Sequence, residues 1–269
     1  MRYRHTMTLF GVCLPICLIL RALQYIFTID GATGFIKQQY SSISVIITLI
    51  IFAGVFSVGL IGYATDSVVY EKKNSNYALM VGSFLAGLSF IYDTATSFLN
   101  FNVIAWYDIF VIILGLMCAV VFIAYGVRFL YSYNFPTMSF IVPVFYYIIK
   151  LISIFVSTSE LALVTENIFM IITNSTLLIF IYEFSKVENN IDEIVKSKKL
   201  FAWGIISAML CFTQSGPRIL VYNASLSQKD MSSALLNAIM GVFILSYIMS
   251  SFKDKNAYKT AHVAKHLAE

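Results

Sequence analysis

Histidine is nearly absent from this chain. Its three imidazoles, His5, His262 and His266, all lie close to the termini, so none is available inside a fold to bind haem, hold a catalytic zinc or serve a Ser/His pair. His262 and His266 stand one helical turn apart in a basic C-terminal stretch, which reads as a solvated tail helix. Charge is scarce as well. Charged residues are 12% of the chain, against about 25% in an ordinary soluble domain, so lipid must solvate much of the surface. The four cysteines, Cys13, Cys17, Cys118 and Cys211, fall inside apolar runs and read as small packing residues, with no disulfide framework. With four prolines and no long polar block there is no room for a separate soluble domain. No phosphate-binding glycine loop occurs: Thr28-Ile-Asp-Gly-Ala-Thr-Gly-Phe35 has turn chemistry instead. No cofactor, metal or catalytic residue is expected.

What is present is apolar length. The chain has 269 residues, 59% of them hydrophobic, and a mean hydropathy of +0.82. About eight runs are long enough to cross a bilayer at roughly 20 residues each. They lie near 8–28, 43–63, 77–96, 108–128, 138–157, 163–183, 201–220 and 233–251. The fold class is therefore all-α, a polytopic membrane bundle. Residues 1–251 form one transmembrane domain and 252–269 a short basic cytoplasmic tail. The N-terminal run lacks a small-residue cleavage pattern and reads as a retained anchor. Arg2, Arg4, Lys72, Lys73, Arg128, Lys186, Lys196, Lys198, Lys199, Lys253, Lys255, Lys259 and Lys265 all fall on one side of an eight-span pattern. Lys37, Lys229 and Arg218 fall on the other, so both termini are expected in the cytoplasm and the protein in the plasma membrane. The net charge of +4 is thus a topology signal, and nucleic acid is not an expected partner.

Small residues one turn apart, such as Gly82 and Ala86, Ser83 and Gly87, and Gly204 and Ala208, predict close helix approach within one bundle. The connector 186–199 has the charge order of a helix, with Asn190 as cap, Asp192 and Glu193 early and lysines late. Val187, Ile191 and Ile194 share one face there. The connector reads as a solvated extension of the sixth span, with a short interfacial helix or a docking site for a cytoplasmic partner as alternatives. Asn223-Ala-Ser225 is a formal glycosylation sequon in an outer loop.

Chemistry concentrates in the outer half. Arg21 and Lys150 sit at a similar level, roughly 10 Å below the outer boundary at 1.5 Å per residue. Asp93, Asp108, Glu166 and Arg218 lie shallower, and the inner halves are expected to hold no comparable buried charge. Polar residues accompany these charges at helical spacing: Cys17, Arg21, Gln24 and Thr28; Tyr146, Lys150, Ser153 and Ser157; Ser89, Asp93 and Thr96; Glu166, Thr173 and Asn174; Ser207, Cys211, Gln214 and Arg218. Arg21, Asp93, Lys150, Glu166, Asn174, Gln214 and Arg218 are the candidate ligand-binding residues. Glu160 and Glu166 are the nearest counter-charges for Lys150, and Asp93 the longer-range one. Gly216-Pro217 beside Arg218 is the candidate for an unwound helix end. The expected function is a transporter or permease-like protein that admits a small anionic or zwitterionic solute through an outward-facing cavity; a lipid headgroup is another candidate ligand for its cationic deeper layer. The alternatives are a non-catalytic sensor or partner subunit, or a lipid-modifying enzyme using Asp93, Asp108 or Glu166 as acid or base.

Overall fold

The computed structural model describes residues 3–28, 37–65, 68–70, 76–99, 106–131, 135–158, 165–189, 193–220 and 228–254. Long helices dominate: α1 (Tyr3–Thr28), α2 (Ser41–Tyr63), α3 (Tyr77–Leu99), α4 (Trp106–Tyr131), α5 (Ile141–Thr158), α6 (Thr165–Glu188), α7 (Glu193–Leu220) and α8 (Gln228–Ser251). All but α7 are long and apolar enough to cross a membrane, and the chain is a multi-pass membrane protein. The turn at 29–36, Asn190 and Ile191, Asn223 and the tail with His262 and His266 lie outside the described residues.

Each helix sorts its residues by solvent. On α1, Val12, Ile16 and Ile19 are exposed, the face a lipid chain would cover. The opposite stripe, Phe10, Cys17, Arg21, Gln24 and Thr28, is buried. Helix α7 is the exception to the apolar pattern because it packs against α1, α2, α6 and α8. Ser207, Thr213, Gln214, Ser215 and Arg218 are buried inside that ring along with Phe201, Ile205 and Leu210. A helix sheltered on most sides does not need an apolar surface all round.

Close approach follows from small residues. A Cβ on Gly87 would stand 3.1 Å from the Ala119 carbonyl and 2.6 Å from Ile123 Cγ1, which places α3 directly against α4. Gly82 faces the Phe243 backbone of α8 at 3.5 Å. One stretch of α3 thus seats two neighbours on adjacent faces.

Two boundaries differ from the sequence expectation. Helix α6 runs on to Glu188 and α7 begins at Glu193, so the lysines of the 186–199 connector belong mostly to the start of α7. The reason is burial: the Phe184 ring lies 4.6 Å from Phe140 and 4.8 Å from Tyr247. These rings join Phe122, Tyr125, Phe180 and Phe243 in one aromatic layer across the bundle. Val187 is buried as well, which removes it from any surface offered to a partner. The second difference is at 216–217, where α7 continues through Gly216 and Pro217 to Leu220 with no unwinding. Ser215 spends its hydroxyl on the Cys211 carbonyl within the same turn.

After α2 and after α8, short strands β1 (Val68–Tyr70) and β2 (Phe252–Asp254) pair antiparallel, Val69 opposite Lys253. The pairing brings the end of α2 and the end of α8 to one end of the bundle. Residues 252–254, expected as the start of the tail, are thereby fastened to the fold.

Candidate functional site

Asp93, on the buried stripe of α3, gathers groups from two other helices. Tyr146 of α5 donates its phenol to Asp93 Oδ2 at 3.3 Å, and Lys150 Nζ lies 3.5 Å from the same oxygen. The spacing of four residues sets Lys150 over Tyr146, to whose oxygen its ammonium donates at 3.1 Å. From α8, Ser232 donates to Asp93 Oδ1 at 2.9 Å. Gly115 of α4 makes this meeting possible. A Cβ there would stand 2.5 Å from Thr94 Oγ1 and 3.5 Å from the Tyr146 ring. Among the described residues the counter-charge of Lys150 is Asp93, the longer-range candidate. Glu160 and the Glu166 side chain lie outside the described residues, and Glu166 is placed only as a first-turn residue of α6.

Arg21 is buried with its guanidinium 3.8 Å from the Phe169 ring centre and donates to Gln24 Oε1 on its own helix. Gln24 in turn donates to Ser44 Oγ at 2.8 Å and to Thr48 Oγ1 at 2.8 Å. That network ties α1 to α2. Arg218 is buried in the last turn of α7, with Nη1 4.0 Å from Met170 Sδ.

Between these charged groups lies a neutral layer. Asn174 donates to the Met170 carbonyl of its own helix, leaving Oδ1 buried without a partner. Asn237 of α8 donates to Gln214 Oε1 of α7 at 3.1 Å; Gln214 Nε2 and Asn237 Oδ1 are buried and unpartnered. Exchanging both amide orientations would only swap which residue carries the donor and which the acceptor. Tyr147 Oη and Thr173 Oγ1 are likewise buried and unpartnered. Two ties fix the level of the α6 residues. Ser207 donates to the Thr176 carbonyl and Arg218 meets Met170, so Thr173 and Asn174 stand beside the Gln214 turn of α7.

The half of the bundle expected to face inward holds a buried charge where none was expected. Glu188 is buried and accepts from Tyr70 at 3.2 Å, Tyr125 at 3.4 Å and Tyr247 at 3.4 Å on Oε1. Arg128 Nη1 meets Oε2 at 3.1 Å. Four elements, β1, α4, α6 and α8, are joined through this one carboxylate. Burial first and then the Glu188 carboxylate push the Tyr70 phenol upward from its ordinary value. The signal that could have found Glu188 is the apolar series Leu177, Phe180, Phe184, Val187, which keeps helical spacing past 183.

The fold and site together define a multi-pass membrane protein with a polar interior in one half of the bundle and an aromatic layer in the other. No family model, curated protein or solved structure matches the chain.

Proposed function

We propose that the protein is a permease for a small polar solute, anionic or zwitterionic, taken from the outer face of the plasma membrane. The chain then crosses eight times with both termini cytoplasmic. The observation that carries the proposal is the set of buried, unpartnered polar atoms on four consecutive helices: Tyr147 Oη, Thr173 Oγ1, Asn174 Oδ1, Gln214 Nε2 and Asn237 Oδ1. Each such atom costs about 1–3 kcal/mol when nothing bonds to it, and native interiors rarely keep several together. Donors and acceptors occur in one layer, beside the Asp93 and Lys150 pair and below Arg218. Such a layer suits a compact solute that offers several hydrogen-bonding groups. The aromatic layer of Phe140, Phe184 and Tyr247 supplies a dry stop on the inner side, where a solute would have to wait for a rearrangement.

The test is uptake by liposomes containing the purified full chain. Labelled amino acids and small carboxylates serve as probes, and Gln214→Leu and Asn237→Leu as variants. At least one probe is expected to enter through the parent protein, with each variant lowering that uptake at least tenfold. Normal uptake by both folded variants would remove this layer from the path.

A further inference from the structure

Lys150 is the natural seat for an anionic group, yet Asp93 already neutralises it. This contact fixes more than the location of the site. Building on the permease proposed above, we infer that anion uptake is obligatorily coupled to a proton, which binds Asp93 as the anion takes over Lys150.

The charges enforce the order. With Asp93 ionised, an arriving carboxylate would set two anions around one ammonium in a water-poor site, and neutralising one of them relieves their repulsion. The outer solution supplies it. The proton bonds to an Asp93 oxygen, the Asp93 to Lys150 attraction is lost, and the solute carboxylate becomes the partner of the ammonium. Release on the inner side reverses each step: the anion leaves Lys150, the proton leaves Asp93, and the original pair reforms. One anion and one proton have then crossed, with no net charge for a monoanion. A zwitterion carried the same way moves one positive charge.

The surroundings fit a proton acceptor. Among the described residues the ionisable groups close to the pair are Tyr146 and Tyr147 on α5, with the Cys118 thiol of α4 close to Lys150 and Tyr146. None of these described groups is a second carboxylate or a second cation, and in this proposal the change of charge falls on Asp93. Lys150 and Asp93 keep 12% and 9% side-chain exposure. Ser232, which holds Asp93 Oδ1, stands near the start of α8, and Tyr146 bridges Lys150 to Oδ2. A hydrogen-bonded line thus runs Lys150, Tyr146, Asp93, Ser232.

The experiment uses the full chain in liposomes loaded with the pH dye pyranine. Labelled glycine, glutamate and succinate are offered singly, at equal pH and with the inside one unit more alkaline. One such unit sustains about tenfold accumulation per proton carried. The expected result is accumulation that approaches this limit for at least one probe, with internal acidification in step. In Asp93→Asn, the uptake that remains is expected to lose both the response to the gradient and the acidification. Uptake by the parent protein that ignores the gradient overturns the coupling and leaves the permease. No uptake of any probe under either condition overturns the permease, and the coupling with it. Should Asp93→Asn fail to fold, the neutral double variant Asp93→Leu/Lys150→Met replaces the pair by apolar groups. Gradient-driven uptake by that protein overturns the coupling, and uptake that no longer follows the gradient, with normal folding, supports it.

Discussion

Glu188 collects three phenols and a guanidinium on one carboxylate. Removing the guanidinium leaves a buried charge with neutral donors only, so Arg128→Met is expected to destabilise the protein by about 3–5 kcal/mol. Tyr247→Phe, which deletes one neutral donor, should cost about 1 kcal/mol. Denaturation of the detergent-solubilised variants checks the ratio, and equal losses would place the energy in packing instead. The neutral layer predicts the opposite sign. In Gln214→Leu/Asn237→Leu two unpartnered atoms and one hydrogen bond disappear together, so melting should rise while uptake falls. At this scale the sequence was legible by type and not by partner. Arg21, Lys150 and Gln214 are where polar residues interrupt apolar runs, and all three are buried or nearly so. That Lys150 meets Asp93 depends on α3 and α5 both leaning on α4 at Gly115, a long-range fact that no local spacing encodes. Glu188 was missed because an acidic residue next to lysines looks solvated until its tyrosines are in place.

Helices were legible from apolar length, and their ends were not. The end of α6 was misplaced because Glu183, Lys186 and Glu188 lower the local hydropathy, whereas Phe184 and Val187, buried beside the two glutamates, keep the helix in the core. Close approach of α3 and α4 gives a sharp test. In Gly87→Ala the new methyl meets the Ala119 carbonyl at 3.1 Å, and backbone cannot yield as a side-chain tip does. A loss of about 1–3 kcal/mol is expected. Gly11→Ala meets nothing within 4 Å and should be neutral or stabilising by up to about 1 kcal/mol; thermal melting of the two variants decides. The β1 and β2 pair carries a pH signature through Tyr70. Its phenol is raised in the fold, so the stability it contributes is complete below the unfolded value of about 10 and is lost as pH climbs above that. Melting temperatures followed from neutral to strongly alkaline pH should therefore fall less steeply in Tyr70→Phe than in the parent.

For the whole molecule, the basic residues of the short connectors and the joining of β1 to β2 agree on which helix ends lie together. With eight crossings, a cysteine placed at Lys37 should react with an impermeant thiol reagent on intact cells. One placed at Lys253 should react only after the membrane is opened. The reverse pattern would turn the bundle over and move the polar layer to the cytoplasmic side. Order among the helices was not legible, because every span offers an apolar face to some neighbour and periodicity alone does not name which.

The enclosure of α7 has a consequence for how the protein is made. Its hydropathy falls short of what the other helices offer the bilayer, and its buried Ser207, Gln214 and Arg218 are tolerable only once neighbours surround them. During synthesis α6 emerges before it, and α8, which covers the Cys211 and Gln214 flank, only afterwards. With eight crossings, α7 is expected to enter the membrane as one half of a hairpin with α8, and a chain stalled just past Leu220 is expected to be still held at the translocon.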